Sequence, residues 1–397
     1  LTLTLTVHLK SFILKNIKKI KILVVIGQLD IGGTELHILN IAKNINREKY
    51  ELALFPLRKG GTLEKQFFSG DIAITIKGNN YNGLGKIGLF ISAVELIFVS
   101  FKYKPDIFHF FLPEAYIIGS IFTYIFKNSK RIMSRRSLNI YQKKHVKMNM
   151  MLLEKVFHKN MDFITGNSSA VCKQLMGEGV EKDKIKLIYN GVDLKTFKPK
   201  DSNRKYLQSK NINKSDLVII CIANLIPYKG HADLIRGIKL VDNQILANWH
   251  LLLVGRDDGF SSYLKTLVRE QNLDKKIEFL GEVEIVPRLI ENSDIGILCS
   301  HQEGFSNSIL ECMAGGLPMI ATNVGGNPEA VLNGVNGLIV DPYSPYEIGQ
   351  AILKLANNEL LRKEMGSSAR EIVNMKFSLD KCVSEYEDLY VSTMLGN

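Results

Sequence analysis

The sequence predicts an α/β protein built from two doubly wound, parallel-sheet domains that face each other across a cleft. Three observations lead there. At 397 residues the chain exceeds what one hydrophobic core usually organises, so two domains are the natural division. Short apolar runs alternate with helical patterns throughout, as in strand–helix–strand units whose parallel strands are buried on both faces. The alternation breaks once, in the polar, turn-rich stretch NGVDLKTFKPKDSNRKYLQSKNINKSD (190–216), and then resumes. The expected boundaries are an N-terminal arm at 1–20, a first domain at 21–198, a second at 199–376, and a C-terminal helix at 377–397 that crosses back over both.

The elements follow in order. LTLTLTVHLKSFILKNIKK is set apart as a basic, weakly amphipathic arm without a signal-peptide cleavage site. KILVVIG (21–27), ELALFPL (51–57), DIFHFF (106–111), RIMS (131–134), DFITG (162–166) and KLIY (186–189) read as buried strands, with helices over 34–46, 84–101 and 140–158. Segment 107–126 is apolar for the length of a membrane span. His109, Pro113 and Glu114 interrupt it, so it reads as a buried strand running into a buried helix. In the second domain the strands are DLVIICIA (216–223), HLLLVG (250–255), KIEFLG (276–281), DIGILCS (294–300), PMIAT (318–322) and GLIV (337–340), with helices between. In 377–395, Leu379, Cys382, Tyr386 and Leu389 recur at helical spacing.

Composition narrows the function classes. The chain is 46% hydrophobic and 23% charged, as in soluble globular proteins. Its five cysteines are dispersed without CxxC spacing, which excludes a disulfide framework and a zinc site and suits a reducing cytosol. The net charge of +11 is uneven. Up to Pro199 there are 31 basic and 15 acidic residues, a net +16; after it there are 20 and 25, a net −5. A basic half points to nucleic acid, an anionic membrane or a phosphorylated substrate. No helix-turn-helix, zinc-finger or RNP pattern accompanies it, so nucleic acid is not expected as a partner.

In doubly wound sheets, ligands bind beyond the C-terminal strand ends, where helix N-termini aim N–H groups outward. Three loops there carry chemistry. In GQLDIGGTELHI (27–38), Gly32 and Gly33 precede a helix and let a ligand approach the main chain. The loop is neither a Walker motif nor GxGxxG. In NLIPYKGHADLI (224–235), Lys229 adds a full charge at a helix N-terminus, which suits phosphate. In HQEGFSNSILECMAGG (301–316), Gly315 and Gly316 end a helix that starts near 307, with Ser306 or Asn307 as its cap. Glu303 and Glu311 bracket that N-terminus. A carboxylate only accepts hydrogen bonds, so it repels phosphate and grips hydroxyls; the free N–H groups between the two suit an anion. A nucleoside diphosphate sugar offers both. A glycosidase carboxylate pair is the rival reading, but a hydrolase needs no phosphate cradle. The plain alternative is a helix cap beside an unrelated surface acid.

Together these loops resemble glycosyltransferase family 4, the retaining group with the two-domain GT-B fold. The resemblance runs from about 21 to 395. It rests on Glu303 and Glu311 at a seven-residue gap, followed by CMAGGLPMIAT, GGNPEAV and NGLIV. IGGTE (31–35), PDIFH (105–109), NSSAV (167–171), IYNGVD (188–193), YKG (228–230), LLLVG (251–255) and FLGEV (279–283) support it.

The resemblance implies that Glu311 binds donor ribose hydroxyls and that Glu303 lies near the transferred sugar. It implies that the backbone of Gly304, Phe305, Ser306 and Asn307 meets sugar and phosphate, and that Lys229 neutralises the diphosphate with Gly33 packed nearby. The stretch Leu280 to Val283 would help hold the base. Two positions depart from the family. Asn224 stands in the donor site where an arginine is common, and Arg136 stands where a histidine is common. Arg136 is then a catalytic cation rather than a proton acceptor, since arginine stays protonated. Gly32, His109 and Arg136 would face the acceptor; at the second position of a common His-x-His strand end, Phe111 replaces the histidine.

The implied reaction transfers a sugar, from a UDP-sugar first among nucleotide sugars, to a saccharide or lipid-linked saccharide in bacterial surface-polysaccharide assembly. No cofactor is implied. Asp257-Asp258 lacks DxD spacing, so no metal is expected. The basic first domain suits an anionic membrane, hence a cytoplasmic protein peripheral at the inner membrane face. A nucleotide-sugar epimerase and a non-catalytic nucleotide-sugar-binding protein of the same architecture are the alternatives.

Overall fold

The computed structural model describes residues 18–68, 74–75, 84–138, 148–199 and 212–395. Most of the N-terminal arm, the middle of the linker and the start of the helix expected over 140–158 lie outside the described residues. The first sheet has seven parallel strands: β1 (Ile20–Ile26), β2 (Tyr50–Pro56), β3 (Ile74–Thr75), β4 (Ile107–Phe111), β5 (Lys130–Arg135), β6 (Phe163–Gly166) and β7 (Ile185–Leu187), ordered β3-β2-β1-β4-β5-β6-β7. The second has six: β8 (Leu217–Ile222), β9 (Trp249–Val254), β10 (Ile277–Gly281), β11 (Ile295–Leu298), β12 (Met319–Thr322) and β13 (Gly337–Val340), ordered β10-β9-β8-β11-β12-β13. Every expected strand is present within a residue or two of its expected ends. The two-residue edge strand β3 has no counterpart in the sequence reading, because two residues carry no periodicity.

The helices that position the site are α1 (Gly33–Asn44), α2 (Gly85–Tyr103), α3 (Pro113–Phe122), α4 (Met148–His158), α5 (Ser169–Gly177), α6 (His231–Val241), α7 (Asn307–Ala314) and α8 (Leu379–Leu395). Alternate residues of each central strand serve opposite layers. Ile22, Val24 and Ile26 pack with α1 and with Tyr386, Leu389 and Tyr390 of α8. Leu23 and Val25 pack with Leu96 of α2 and Tyr116 of α3. A strand buried on both faces reads as an unbroken apolar run, which is why these strands are visible in the sequence. α8 thus belongs to the first sheet's core. Its Tyr386 and Tyr390 hydroxyls bond His37 Nε2 at 3.0 Å and His109 Nδ1 at 2.9 Å.

In each sheet the strand order reverses once, between β1 and β4 and between β8 and β11. The crevices at these switch points are the natural ligand sites, and the two sheets turn them towards each other. The approach is at backbone distance: a Cβ on Gly304 would lie 2.4 Å from the carbonyl oxygen of Arg136. Beside this contact, Glu329 of the second unit accepts from the first-turn N–H groups of Ser169 (2.8 Å) and Ala170 (3.2 Å) in α5 and from Tyr189 Oη (2.8 Å). A carboxylate on a helix N-terminus is electrostatically favoured there, so this contact holds the two units together.

β5 ends on Arg135, and Arg136 follows it with its side chain to the opposite side. Arg135 turns into a buried network: Nη1 donates to Glu178 at 2.8 Å and Nη2 to Glu154 at 2.5 Å, while His158 bonds Glu178 at 3.1 Å and Tyr116 at 3.0 Å. Burial works against ionisation of Glu178, but its bonds to His158 and Arg135 outweigh burial and hold the carboxyl below its usual range. Arg136, one residue on, points the other way. Replacing Arg135 with methionine takes the guanidinium from buried Glu154 and leaves Glu178 only His158 of this network. It should cost about 3–5 kcal/mol in urea unfolding; a loss below about 1 kcal/mol would mean the network behaves as a surface pair.

Candidate functional site

Between the two switch points lies a cavity of about 510 Å³. Gly32, Gly33 and Thr34 line it from the first unit with Leu112, Arg136 and Asn190; Lys229 and residues 302–307 line it from the second. Two helix N-termini open into it. α1 begins at Gly33 after Gly32, and α7 begins at Asn307 after Ser306. Neither cap residue makes a side-chain cap bond. Ser306, one of the two expected caps, holds the N-cap position, but its hydroxyl pairs with that of Ser308 at 3.0 Å and not with a first-turn N–H. Two helix N-termini at one cavity offer N–H donors to an anion, although on α1 the Glu35 carboxylate folds back onto the first turn, its Oε2 2.4 Å from where a Cβ on Gly32 would stand. The edges are tied across the cleft: Asn307 Nδ2 donates to the Gly33 carbonyl at 3.3 Å, and Asn190 Nδ2 donates to the Phe305 carbonyl at 3.0 Å and to Asn307 Oδ1 at 2.6 Å.

Lys229 ends a single 3-10 turn after β8, and Gly230 follows at φ +72°. A Cβ there would fall 1.9 Å from the Cys299 carbonyl oxygen, so only glycine lets the turn close on the β11 loop. That closure brings Lys229 Nζ to 2.5 Å from Glu303 Oε1, which also accepts from Ser300 Oγ at 2.7 Å. The side chains are 18% and 11% exposed, so the pair faces the cavity from a mostly dry wall. A ligand phosphate must compete with Glu303 for the lysine.

Arg136 supplies the cavity's second cation. Its Nε and Nη1 are buried without a hydrogen-bond partner, and unmet donors on a buried guanidinium are costly unless an anion arrives. Burial pulls its pKa down from the ordinary guanidinium value, while Tyr386, Cys382 and Glu35 pull it back. Leu112, on the same wall, holds φ +70°. A leucine there costs of order 1–3 kcal/mol, the kind of strain that gathers at functional sites.

The remaining expected residues stand further off. Glu311 lies one helical turn inside α7 and is not in the cavity wall. Leu280 and Val283 pack at the edge of the second unit's core near the end of β10. Asn224 donates to Asp258 Oδ2 at 3.1 Å, and Arg256 Nε bonds the same carboxylate at 2.8 Å. The acceptor-side expectation for His109 is corrected. It is fully buried, with Tyr390 on Nδ1 and Ser134 on Nε2 at 2.7 Å, and burial drives its pKa down to about 3. Strand register turns its ring under α8, away from the cleft.

Sequence reasoning missed Asn190, which sits inside the quoted motif IYNGVD, and Leu112, whose backbone angle no motif reports. It also passed over Arg256, a cation directly after a strand end, the position where such residues meet ligands.

Two family models match the chain: Glycosyltransferase Family 4 over residues 31–196 and Glycosyl transferases group 1 over residues 202–372. The chain belongs to glycosyltransferase family 4, with the GT-B fold. It is 30% identical over 230 residues to N-acetyl-alpha-D-glucosaminyl L-malate synthase of Bacillus anthracis, a match spanning 57% of this chain and 59% of that protein. It is 27% identical over 305 residues to the capsular polysaccharide biosynthesis glycosyltransferase CapM of Staphylococcus aureus, covering 75% of this chain and 80% of that one. Among solved structures, Anabaena Alr3699/HepE in complex with UDP superposes with a TM-score of 0.81 at 22% identity, over 94% of this chain and 100% of that one.

Burial pushes the Glu311 carboxyl from an ordinary 4.5 up to about 7. Between those values the folded chain holds a proton that the unfolded chain has lost, so this group's contribution to stability falls as pH rises through that window. Glu311→Gln should therefore raise the melting temperature above about pH 8 and leave it unchanged below about pH 5. Equal shifts at both pH values would contradict a carboxyl titrating near neutrality.

Proposed function

We propose that the chain is a retaining glycosyltransferase. It moves a sugar from a UDP-sugar to a saccharide or lipid-linked saccharide acceptor in bacterial surface-polysaccharide assembly. One observation carries the reading. The N-termini of α1 and α7, the unmet donors of Arg136 and a reachable Lys229 converge on one cavity, with Glu303 at its wall and Glu311 one turn behind. Cations and N–H donors suit a diphosphate; carboxylates beside them suit hydroxyls. The Staphylococcus aureus relative, named for capsular polysaccharide biosynthesis, and the UDP in the Anabaena structure support the context and the donor. We assign residues 21–198 to the acceptor, 199–376 to the donor, and 377–397 to the helix that crosses between them. The +16 charge of the first part supports a place at the inner face of the cytoplasmic membrane.

In this mechanism the sugar–phosphate bond breaks, and the acceptor oxygen bonds the anomeric carbon on the same face. The acceptor's proton passes to the leaving phosphate oxygen. Lys229, Arg136 and the N-termini of α1 and α7 stabilise the charge growing on that phosphate. Gly32 and Gly33 keep the main chain close to it, and Phe305, Ser306 and Asn307 offer backbone to the sugar. Glu303 gives up Lys229 and turns its freed oxygen to a sugar hydroxyl.

Two measurements test this. In a thermal-shift panel of UDP, GDP and ADP, UDP should give the largest stabilisation, and Lys229→Ala should lower turnover by about 10²-fold or more; unchanged turnover would sink the assignment. Glu303→Gln should separate binding from catalysis. Freed of its partner, Lys229 should bind UDP more tightly than in the wild type, while turnover falls by about 10-fold or more. Weaker UDP binding in that variant would show that Glu303 does not hold the lysine back.

A further inference from the structure

A second pocket lies outside the catalytic cavity. It is a slot of about 680 Å³ between the N-terminal half of α2 and α3, within the size range of small-molecule sites. Leu89, Phe90 and Ala93 form one wall, Ile118 and Phe122 the other, and the rings of Phe90 and Phe122 lie 5.9 Å apart. Charge appears where Arg58, Lys86 and Glu114 line it. That end abuts the catalytic loop: Glu114 Oε2 lies 3.6 Å from where a Cβ on Gly27 would stand, and Gly27 opens the β1–α1 loop that lines the cavity.

The slot continues onto an exposed apolar face. Ile87 (67%), Phe90 (61%), Phe98 (69%) and Phe101 (59%) fall on one stripe of α2, in two pairs three residues apart that are separated by about two helical turns. Tyr124 and Ile125 after α3, and Leu152 and Val156 on α4, extend it and are also exposed. Lysines rim the face at 86, 102, 104, 127, 155 and 159. Against these six lysines the same helices carry three acids, Glu95, Glu114 and Glu154, of which Glu114 is tied to Arg58 and Glu154 to Arg135, so the face keeps a net positive charge. Large apolar side chains ringed by lysine match the boundary of an anionic bilayer. None of the described helices is long and apolar enough to cross a membrane, so contact would be peripheral.

We propose that the α2–α3 slot holds the hydrocarbon chain of a lipid-phosphate-linked acceptor, drawn from an anionic bilayer on which the outer face of α2, α3 and α4 rests. The proposal deepens the glycosyltransferase reading and rests on it. Lys86 meets the phosphate while Arg58 stays paired with Glu114, and the sugar beyond it reaches the cavity past the β1–α1 loop. An apolar slot gains from a buried chain in proportion to the area removed from water, and lysines add attraction that salt screens.

The test uses the full chain. It should float with phosphatidylglycerol-containing vesicles and not with pure phosphatidylcholine vesicles, and binding should weaken as salt rises. Replacing Phe98 and Phe101 together with aspartate should reduce vesicle binding by about ten-fold or more. Farnesyl phosphate, a short soluble probe, should bind the wild type, whereas inorganic phosphate alone should not. Phe90→Asp and Lys86→Glu should each weaken farnesyl phosphate by about ten-fold. Phe90, Phe98 and Phe101 are already mostly exposed, so these variants should fold; UDP-induced thermal shifts on the same samples check that and report the donor site independently. A protein that responds to UDP but binds farnesyl phosphate equally with and without Phe90 loses the slot and keeps the donor reading. A dimer that forms through this face and dissociates in the Phe98/Phe101 double variant, with no vesicle binding, would also overturn the proposal.

Discussion

The site depends on two helix N-termini held face to face at backbone distance. α1 and α7 each follow a strand at a sheet's switch point, and neither N-cap residue, Gly32 or Ser306, makes a side-chain cap bond. Alone, either is an ordinary half-site for an anion. Together they concentrate partial positive charge in one cavity, and Gly304 makes this possible because any side chain there would collide with Arg136's carbonyl. Glu329 adds the lateral grip by receiving the N-terminus of α5. The second unit thus donates a carboxylate to a helix of the first, while both units offer their own helix ends to the ligand.

Electrostatics in the cavity are arranged by neighbours rather than by the ionisable groups alone. Lys229 is occupied by Glu303, and Arg136 is held with two unmet donors. One cation is masked by a carboxylate, and the other, bonded to Tyr386, keeps two unmet donors, so in the proposed reading a diphosphate would meet Arg136 short of partners and would have to displace Glu303 from Lys229. Behind this wall, β5 fixes the arginine's direction by burying Arg135 in the opposite layer. Around it α8 closes the first core, and its two tyrosines engage His37 and His109, which burial keeps neutral. The C-terminal segment therefore supports the first unit's interior although it follows the second in sequence.

Much of the scaffold was legible because buried parallel strands are written as continuous apolar runs, and because glycines and acids at strand ends have few structural reasons to be there. Lys229, Gly33 and the 303–307 loop could be proposed from their positions after strands, and these residues do line one cavity. His109 could not be placed, since a strand-end histidine reads the same whether its ring meets the cleft or a covering helix. Asn190 was present in a quoted stretch, yet its partners Phe305 and Asn307 lie far along the chain, and pairing across such distances leaves no local pattern.

By itself the sequence determined the alternation of elements, the two parallel sheets and the residue types available at their C-terminal edges, because those follow from periodicity and from the local chemistry of turns. Only the tertiary structure decided that Lys229 meets Glu303, that Arg136 lines the cavity while Arg135 is buried away from it, and that burial raises the Glu311 carboxyl above its ordinary range. Each of these is a matter of who stands opposite whom and of how much water remains between them. Burial and partner distance set charge, and neither is encoded in a residue's own neighbours along the chain.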